Sequence, residues 1–327
     1  MNKFAKQLFP FLSLIFIISL WTFLEPDRFL SVQNFMNVLR RSSANGIMAA
    51  GMTFIIITAG IDLSVGSMLS LSAIIGSVVM LMLSGASWVQ VSTGEMINMG
   101  VFPMIIGTFA GIAFGALCGF ANGMMITRLK LAPFIVTLGS MSIFRGFSYL
   151  TNGAKPIAVH TYTWLDNGTI AGIPSAVLLF VIVLLSMGYL LKYTPFGRYT
   201  YAIGSNENTA FHVGINVNKV KVWIYTITGA LVGLAAMITT ARSSSAQPTA
   251  GLSLELDIIA AVIIGGCSPN GGKGTMTGTL IGTLLISFLR NGLNLLDISS
   301  NVQLVVIGLI IIFAVTADQI ATKHNNG

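Results

Sequence analysis

The stretch TAGIDLSVGSMLSLSAI, residues 58–74, decides how the chain is read. It lies within a long apolar run in which Asp62 is the only charged residue between Arg41 and Glu95. A charge at mid-bilayer costs several kcal/mol unless it is paired or hydrated. Irregular backbone at that depth survives only where protein or a water-filled cavity satisfies its polar groups. Two apolar segments, 44–60 and 66–83, are separated only by this motif. The expectation is a helix broken by Gly60 and Gly66. Asp62 would cap the following helix by accepting backbone N–H bonds near residues 64 and 65, with Ser64 and Ser67 at the helix start. A direct role for Asp62 in a gate or substrate path is compatible with that cap.

The rest of the composition agrees with a lipid solvent. The chain has 327 residues, of which 54% are hydrophobic and 8% charged, against about 25% charged in soluble domains. The net charge of +7 reads as membrane orientation rather than nucleic-acid binding, since no basic, aromatic-interleaved patch is present. Apolar windows predict an all-α polytopic membrane protein with about ten spans: 7–24, 44–60, 66–83, 101–127, 131–150, 173–191, 222–241, 256–267, 275–290 and 301–317. They form a single transmembrane domain over 1–327. Lys3 and Lys6 precede the first run, but Trp21, Phe23 and Leu24 stand where a signal peptide needs small residues, so the first span is read as uncleaved.

Loop charge orients the chain. The long segment 192–221 carries Lys192, Arg198, Lys219 and Lys221, and Arg128 and Lys130 fall on its side with Lys3 and Lys6. Glu95 and Asp166 fall opposite, which places both termini in the cytoplasm. Arg40, Arg41, Arg242 and Arg290 weaken the bias, being on the outer side. Glycines recur every four residues in GTFAGIAFG (107–115) and GTMTGTLIG (274–282), the spacing that lets helix backbones approach closely in lipid. A faint repeat is also present. Gly139 follows Asn122-Gly123, and Gly308 follows Asn291-Gly292, each 16 residues beyond the motif's glycine. The two pairs fall at opposite ends of their spans, consistent with two five-span halves of inverted orientation.

Catalytic chemistry is not indicated. GGKGT (271–275) lacks the spacing of a phosphate-binding loop, with Cys267 at the first position and Gly274 at the last. His160, His212 and His324 have no metal-ligand spacing, and Cys118 and Cys267 read as buried apolar residues. Besides Asp62, the membrane-embedded ionisable candidates Arg145, Glu255, Asp257 and Arg290 lie near predicted span ends. An ion-driven carrier needs such relays at mid-membrane, so the energy source is expected to be external or the flow passive.

The polar candidates have simple structural roles as well as functional ones. Pro133 starts a helix in APFIVTLGSM (132–141), where Thr137 and Ser140 either line a polar channel or bond to the preceding turn. Asn122 and Asn291 are candidate interhelical amides. In GSNENTAFHVGINVNKVK (204–221), a short helix is expected, capped by Ser205 or Asn206 and ended by Gly214 in a left-handed turn. Such an element is either a docking knob for a cytosolic partner or an ordinary solvated loop.

Taken in order, GIDLSVGS (60–67), GFANG (119–123), PFIVTLG (133–139), GSNENTAFHVGINV (204–217), GGCSPNGGKGTMTGTLIG (265–282) and NGLNLL (291–296) resemble the permease subunits of bacterial ribose/xylose/galactose-type ABC importers, which include autoinducer-2 permeases. The resemblance covers about residues 10–318. It implies a type II ABC importer-like fold and a multi-pass protein of the bacterial inner membrane, translocating a monosaccharide or related neutral solute. It further implies a permease homo- or heterodimer and a cytosolic double-cassette ATPase that uses the ATP, so this chain itself binds no cofactor and is not an enzyme. A periplasmic or lipid-anchored sugar-binding protein would deliver substrate. Loop 192–221 is then the cytoplasmic coupling loop, with Gly204, Ser205, Asn206, Glu207, Ala210 and Gly214 as its coupling residues. Asp62, Ser64, Gly66, Ser67, Asn122, Pro133, Thr137 and Asn291 become candidates for the broken helix and translocation path. Here Thr209-Ala210, His212-Val213, Cys267, Pro269 and Asn270 depart from the usual pattern. A nucleoside or amino-acid ABC importer permease and a stand-alone carrier or channel are the competing readings.

Overall fold

The computed structural model describes residues 3–85 and 99–323; Glu95 and His324 lie outside them. The described chain is predominantly helical. Each of the ten apolar segments coincides with a helix: α1 (Lys3–Leu24), α3 (Val32–Ile57), α4 (Val65–Leu83), α5 (Val101–Arg128), α6 (Pro133–Thr151), α8 (Ser175–Tyr193), α11 (Val217–Ser243), α12 (Leu254–Ile264), α13 (Met276–Leu295) and α14 (Ser300–Lys323). Among the described residues, α4, α5, α8 and α11 are long and apolar enough to cross a membrane, and Phe11–Leu24 and Ser300–Ile310 are shorter apolar stretches.

Where helices outrun the apolar windows, polar caps explain the difference. Helix α3 begins at Val32, twelve residues before the apolar segment, because Ser31 accepts the Asn34 backbone N–H at 3.2 Å. Its first turns carry Asn34, Asn37, Arg40 and Arg41, which a hydropathy window rejects. Likewise α11 starts at Val217 on an Asn216 cap, and Thr275 caps α13 by accepting from Gly278 at 3.0 Å.

The chain folds into two compact units, one built from 1–60, 184–215 and 256–327, the other from 61–183 and 216–255. In the first, α3 is buried on all sides from Ala49 to Ile57, the pattern of a central helix. It meets α13 through a Thr53–Thr279 hydroxyl pair at 2.6 Å. Trp21 of α1 lies over Gly292 of α13, and the cluster of Trp21, Phe288, Leu289 and Leu293 closes with Phe29 of the one-turn α2 (Pro26–Phe29). The glycine stripe 274–282 works as expected: a Cβ on Gly278 would strike the Gly265 carbonyl, and one on Gly282 the Ala261 carbonyl of α12.

The second unit is held by a glycine seam. On α5, Gly115 and Gly119 abut the backbone of Gly229 and Tyr225 on α11, and Gly233 of α11 in turn faces the Gly111 carbonyl. Any side chain there would collide with backbone, so the seam needs glycine. The span-to-span segment 152–174 was expected as loop. It contains β1 (Ile157–Ala158), the one-turn α7 (Trp164–Asn167) and a hairpin of β2 (Thr169–Ile170) with β3 (Ile173–Pro174). Strand β1 pairs antiparallel with β4 (Ser245–Ala246) at the end of α11. Strands of two residues carry too little periodicity to be legible in sequence. Two of the arginines that blurred the charge bias are paired within their units. Arg242 bonds Asp166 at 3.0 Å, and Arg290 bonds Asp257 at 2.8 Å.

Candidate functional site

Helix α3 stops at Ile57 and α4 begins at Val65. The stop is a Schellman turn: Ala59 N–H donates to the Ile56 carbonyl and Gly60 N–H to the Ile55 carbonyl, each at 2.9 Å. The left-handed residue is Ala59, with φ 58°, whereas Gly60 is not at positive φ. This corrects the expectation that the two glycines break the helix. Gly66 lies in the first turn of α4, where a Cβ would strike the Gly251 carbonyl. Its lack of a side chain serves close packing.

Asp62 acts on the backbone as anticipated, with one difference. Its Oδ1 accepts the Ser64 backbone N–H at 2.8 Å and the Ser64 hydroxyl at 2.6 Å. Ser64, not Asp62, holds the capping position, and both of these Asp62 bonds go to residue 64. The carboxylate therefore closes a turn ahead of the helix, and Ser67 bonds back to the Ser64 carbonyl at 2.9 Å. Asp62 is 1% exposed, and its Oδ2 has no hydrogen-bond partner among the described residues.

Three motifs far apart in sequence meet at this turn. Asn122 of α5 donates through Nδ2 to the Ser64 hydroxyl at 2.9 Å, and its Oδ1 accepts from the Ser140 hydroxyl of α6 at 2.6 Å. Thr137, one turn earlier on α6, bonds the Pro133 carbonyl at 2.9 Å and reaches the Ile61 carbonyl at 3.3 Å. Pro133 occupies the first turn of α6, as expected of it. A continuous chain thus runs Ser140, Asn122, Ser64, Asp62, with every member buried. Because every member is buried, the chain of bonds ties α4, α5 and α6 together. Asn291 does not join it. It exchanges two hydrogen bonds with Asn34 of α3, at 2.8 and 3.0 Å.

The sequence pointed to Arg145 only as a charge near a helix end. The structure gives it a definite task. The two N–H groups of its Nη1 are shared among the Pro248 carbonyl at 2.6 Å, the Ala250 carbonyl at 2.8 Å and the Ser70 hydroxyl at 3.1 Å, tying 248–250 to α4 and α6. The same unit holds the buried Tyr162 hydroxyl against Thr108 at 2.7 Å. Burial pushes the Tyr162 phenol upward, and the Thr108 bond only partly opposes this, so it serves as a neutral hydrogen-bonding group.

The second candidate region is the segment around 204–214. Thr194 and Pro195 start α9 (Pro195–Ser205), and Asn206 then caps the short α10 (Glu207–His212) by accepting from Thr209 at 2.9 Å. Gly214 ends it at φ 89°. The expected short helix, its Asn206 cap and its left-handed stop are all present; α9 was not foreseen, although Thr-Pro is a legible start. Ser205 and Glu207 are exposed, Ala210 is buried, and Phe211 and Val213 stand 68% and 71% exposed.

Gly204 anchors this element. A Cβ there would strike the Ile57 carbonyl at the end of α3, and that carbonyl also accepts the Gly272 N–H at 2.8 Å. Gly271 and Gly272 both take positive φ, 83° and 70°. Tyr201 of α9 donates its hydroxyl to the Gly274 carbonyl at 2.7 Å. Burial, with a smaller contribution from Cys267, raises the Tyr201 phenol, which keeps it a donor. The glycine-rich 268–274 loop is thus a clasp on α9, a role that sequence did not suggest.

Among the described residues, no cluster of three or more His, Cys, Asp or Glu could hold a metal. No solved structure matches the chain. The family model described as "Branched-chain amino acid transport system / permease component" matches residues 34–315. The chain is 42% identical to a ribose import permease of Haemophilus influenzae, over 97% of this chain and 94% of the relative. It is 44% identical to the Bacillus subtilis ribose import permease, over 96% and 93%, and 35% identical to the Escherichia coli D-allose transport system permease, over 96% and 91%. With most of its length matched by the family model and by these relatives, this chain belongs to the family of ABC-type transport-system permease components.

Proposed function

We propose that this chain is the membrane subunit of an ATP-driven importer for a monosaccharide, in a bacterial inner membrane. Matches along nearly the whole chain to relatives named for ribose, allose and fructose import support the substrate class. The family's description names branched-chain amino acids, and an amino-acid or nucleoside substrate is the second reading. Ten helices act as spans, arranged as two inverted five-span repeats, with both termini on the cytoplasmic side together with α9 and α10. Two such subunits, identical or related, enclose the path; a binding protein delivers sugar from outside and a double-cassette ATPase docks inside.

The single observation that carries the coupling role is the rigidly held α9–α10 knob. Its tip presents Phe211 and Val213 to solvent, while Gly204 and Tyr201 clamp its base to the end of α3 and the 268–274 loop. A push on an apolar tip held this firmly moves α3 rather than being absorbed locally. The relay at Asp62 would re-form differently when the path opens, since two packings of a buried polar network are discrete alternatives.

The test is uptake in proteoliposomes holding this chain, with and without its ATPase and binding protein, on a panel of labelled pentoses, hexoses, nucleosides and branched-chain amino acids. Pentose or hexose uptake that requires ATP and both partners supports the proposal. Uptake by the chain alone makes it a carrier or channel, and amino-acid or nucleoside uptake moves it to the second reading.

A further inference from the structure

Two grooves in the molecule share a chemistry that transport does not explain. The first, a cavity of about 710 Å³ within the first unit, lies among α8, α9 and α13. Its walls include Leu184, Leu185 and Leu280, and Tyr189 and Tyr193 stand exposed along it, their rings 5.4 Å apart. At the end of α8, Lys192 and Arg198 enter the lining, with no carboxylate beside them in the groove. The Lys192 ammonium lies 5.2 Å from the centre of the Tyr193 ring. The second, of about 510 Å³ within the other unit, combines Phe120, Met124 and Trp223 with Arg128 and Lys219, again with no acid in its lining.

Each groove therefore combines apolar walls, aromatic residues and two cations, with no acid among its lining residues. Acyl chains suit the leucine walls, tyrosine and tryptophan favour the headgroup level, and a cation pair without counter-charge suits a phosphate ester. A free phosphate would use the cations but leave the trough empty. A second copy of this chain would have to bring a carboxylate to each cation pair. We propose that both grooves bind anionic phospholipid from the cytoplasmic leaflet, the side to which loop charge assigns all four cations, with Lys192 and Arg198 holding the headgroup in one and Arg128 and Lys219 in the other. The inference rests on the membrane reading of the chain and not on the identity of the transported solute.

The first groove has a consequence for coupling. Tyr201 and Thr275 also line it, and Tyr201 is the residue that holds α9 to the Gly274 carbonyl. A lipid seated there braces the base of the α9–α10 knob, so anionic lipid should raise the efficiency with which ATP hydrolysis drives uptake.

The experiment is native mass spectrometry of the detergent-purified chain, titrated separately with phosphatidylglycerol, phosphatidylcholine and inorganic phosphate. Preferential phosphatidylglycerol binding is expected, weakened about fivefold for each cation removed in Lys192→Gln, Arg198→Gln, Arg128→Gln and Lys219→Gln. Equal binding of phosphatidylcholine, competition by inorganic phosphate at like concentration, or indifference to all four substitutions overturns the proposal. So does a dimer-to-monomer shift in the variants with lipid binding unchanged, which would assign the grooves to a second copy. A Leu280→Gln variant, which spoils only the trough, is expected to weaken phosphatidylglycerol and leave phosphate unaffected. These readouts are independent of uptake, so a failed transport reading leaves them interpretable.

Discussion

Asn122 and Asn291 stand in the same Asn-Gly motif, one on α5 and one on α13, yet they do different things. Asn291 is held in a two-way amide exchange with Asn34, whose Nδ2 also donates to the Phe29 carbonyl at 3.1 Å, so the joint is closed on both sides. Asn122 is the middle of an open chain that ends on a carboxylate whose second oxygen has no hydrogen-bond partner among the described residues. A closed pair costs little to keep and gains nothing by rearranging. An open chain ending on an unsatisfied buried acceptor stores an incentive to re-form. The first suits a fixed joint and the second a junction that changes state.

The comparison breaks most decisively at Asp62. Asp62→Ala leaves the Ser64 N–H and hydroxyl buried without their acceptor, at about 1–3 kcal/mol per orphaned group, and is expected to abolish uptake or assembly. Asp62→Asn keeps an Oδ1 acceptor and should retain partial uptake. If both variants insert normally and lose transport equally, charge itself is what the site requires. Next in size, Gly204→Ala should separate ATP hydrolysis from uptake, because a methyl group there forces α9 away from the Ile57 carbonyl. ATPase turnover without solute movement is the expected reading, and unchanged uptake would remove Gly204 from the coupling path.

The amide pair offers a sharper contrast. Asn291→Leu alone should lower stability by about 1–2 kcal/mol, and Asn34→Leu added to it should restore part of that, since neither amide is then left unpaired, although the Phe29 carbonyl loses its Asn34 donor. The corresponding double change Asn122→Leu with Ser140→Ala should show no recovery, because Ser64 and Asp62 remain. Thermal shift in detergent, arranged as two double-mutant cycles, measures both. The smallest effect belongs to the α10 cap: Asn206→Ala should cost about 1 kcal/mol and Asn206→Gly only a few tenths, read as a graded loss of ATPase affinity. Equal affinities would mean that the knob docks without a preformed α10.

The two regions also differ in how much of them could be read beforehand. In the α10 element every decisive feature is local. A cap at Ser205 or Asn206 and a left-handed stop at Gly214 are statements about near neighbours; the structure puts the cap on Asn206, bonded to Thr209, and the stop on Gly214. At the Asp62 turn the local part was legible too, since an Asp two residues before Ser64 can reach its N–H. The error there was also local. Glycine is the usual left-handed residue, but the Schellman turn fell on Ala59, because the last helical residue is fixed by how α3 ends and not by which neighbour is most permissive.

The sequence by itself determined the solvent, the ten apolar segments, the glycine seams and the capped knob. These follow from composition, from a period of 3.6 residues and from side-chain–backbone bonds within a few residues, all of which are properties of a short stretch of chain. Only the tertiary structure decided that Asn122, Ser140 and Asp62 share one network while Asn291 pairs with Asn34, that Arg145 holds 248–250, and that the 268–274 loop clasps α9. Those partners lie 18 to more than 250 residues apart. A buried donor must find an acceptor, and sequence states that demand without naming who meets it. The answer comes from which helices pack together, by glycine contact where α5 meets α11 and by side-chain contact where α3 meets α13.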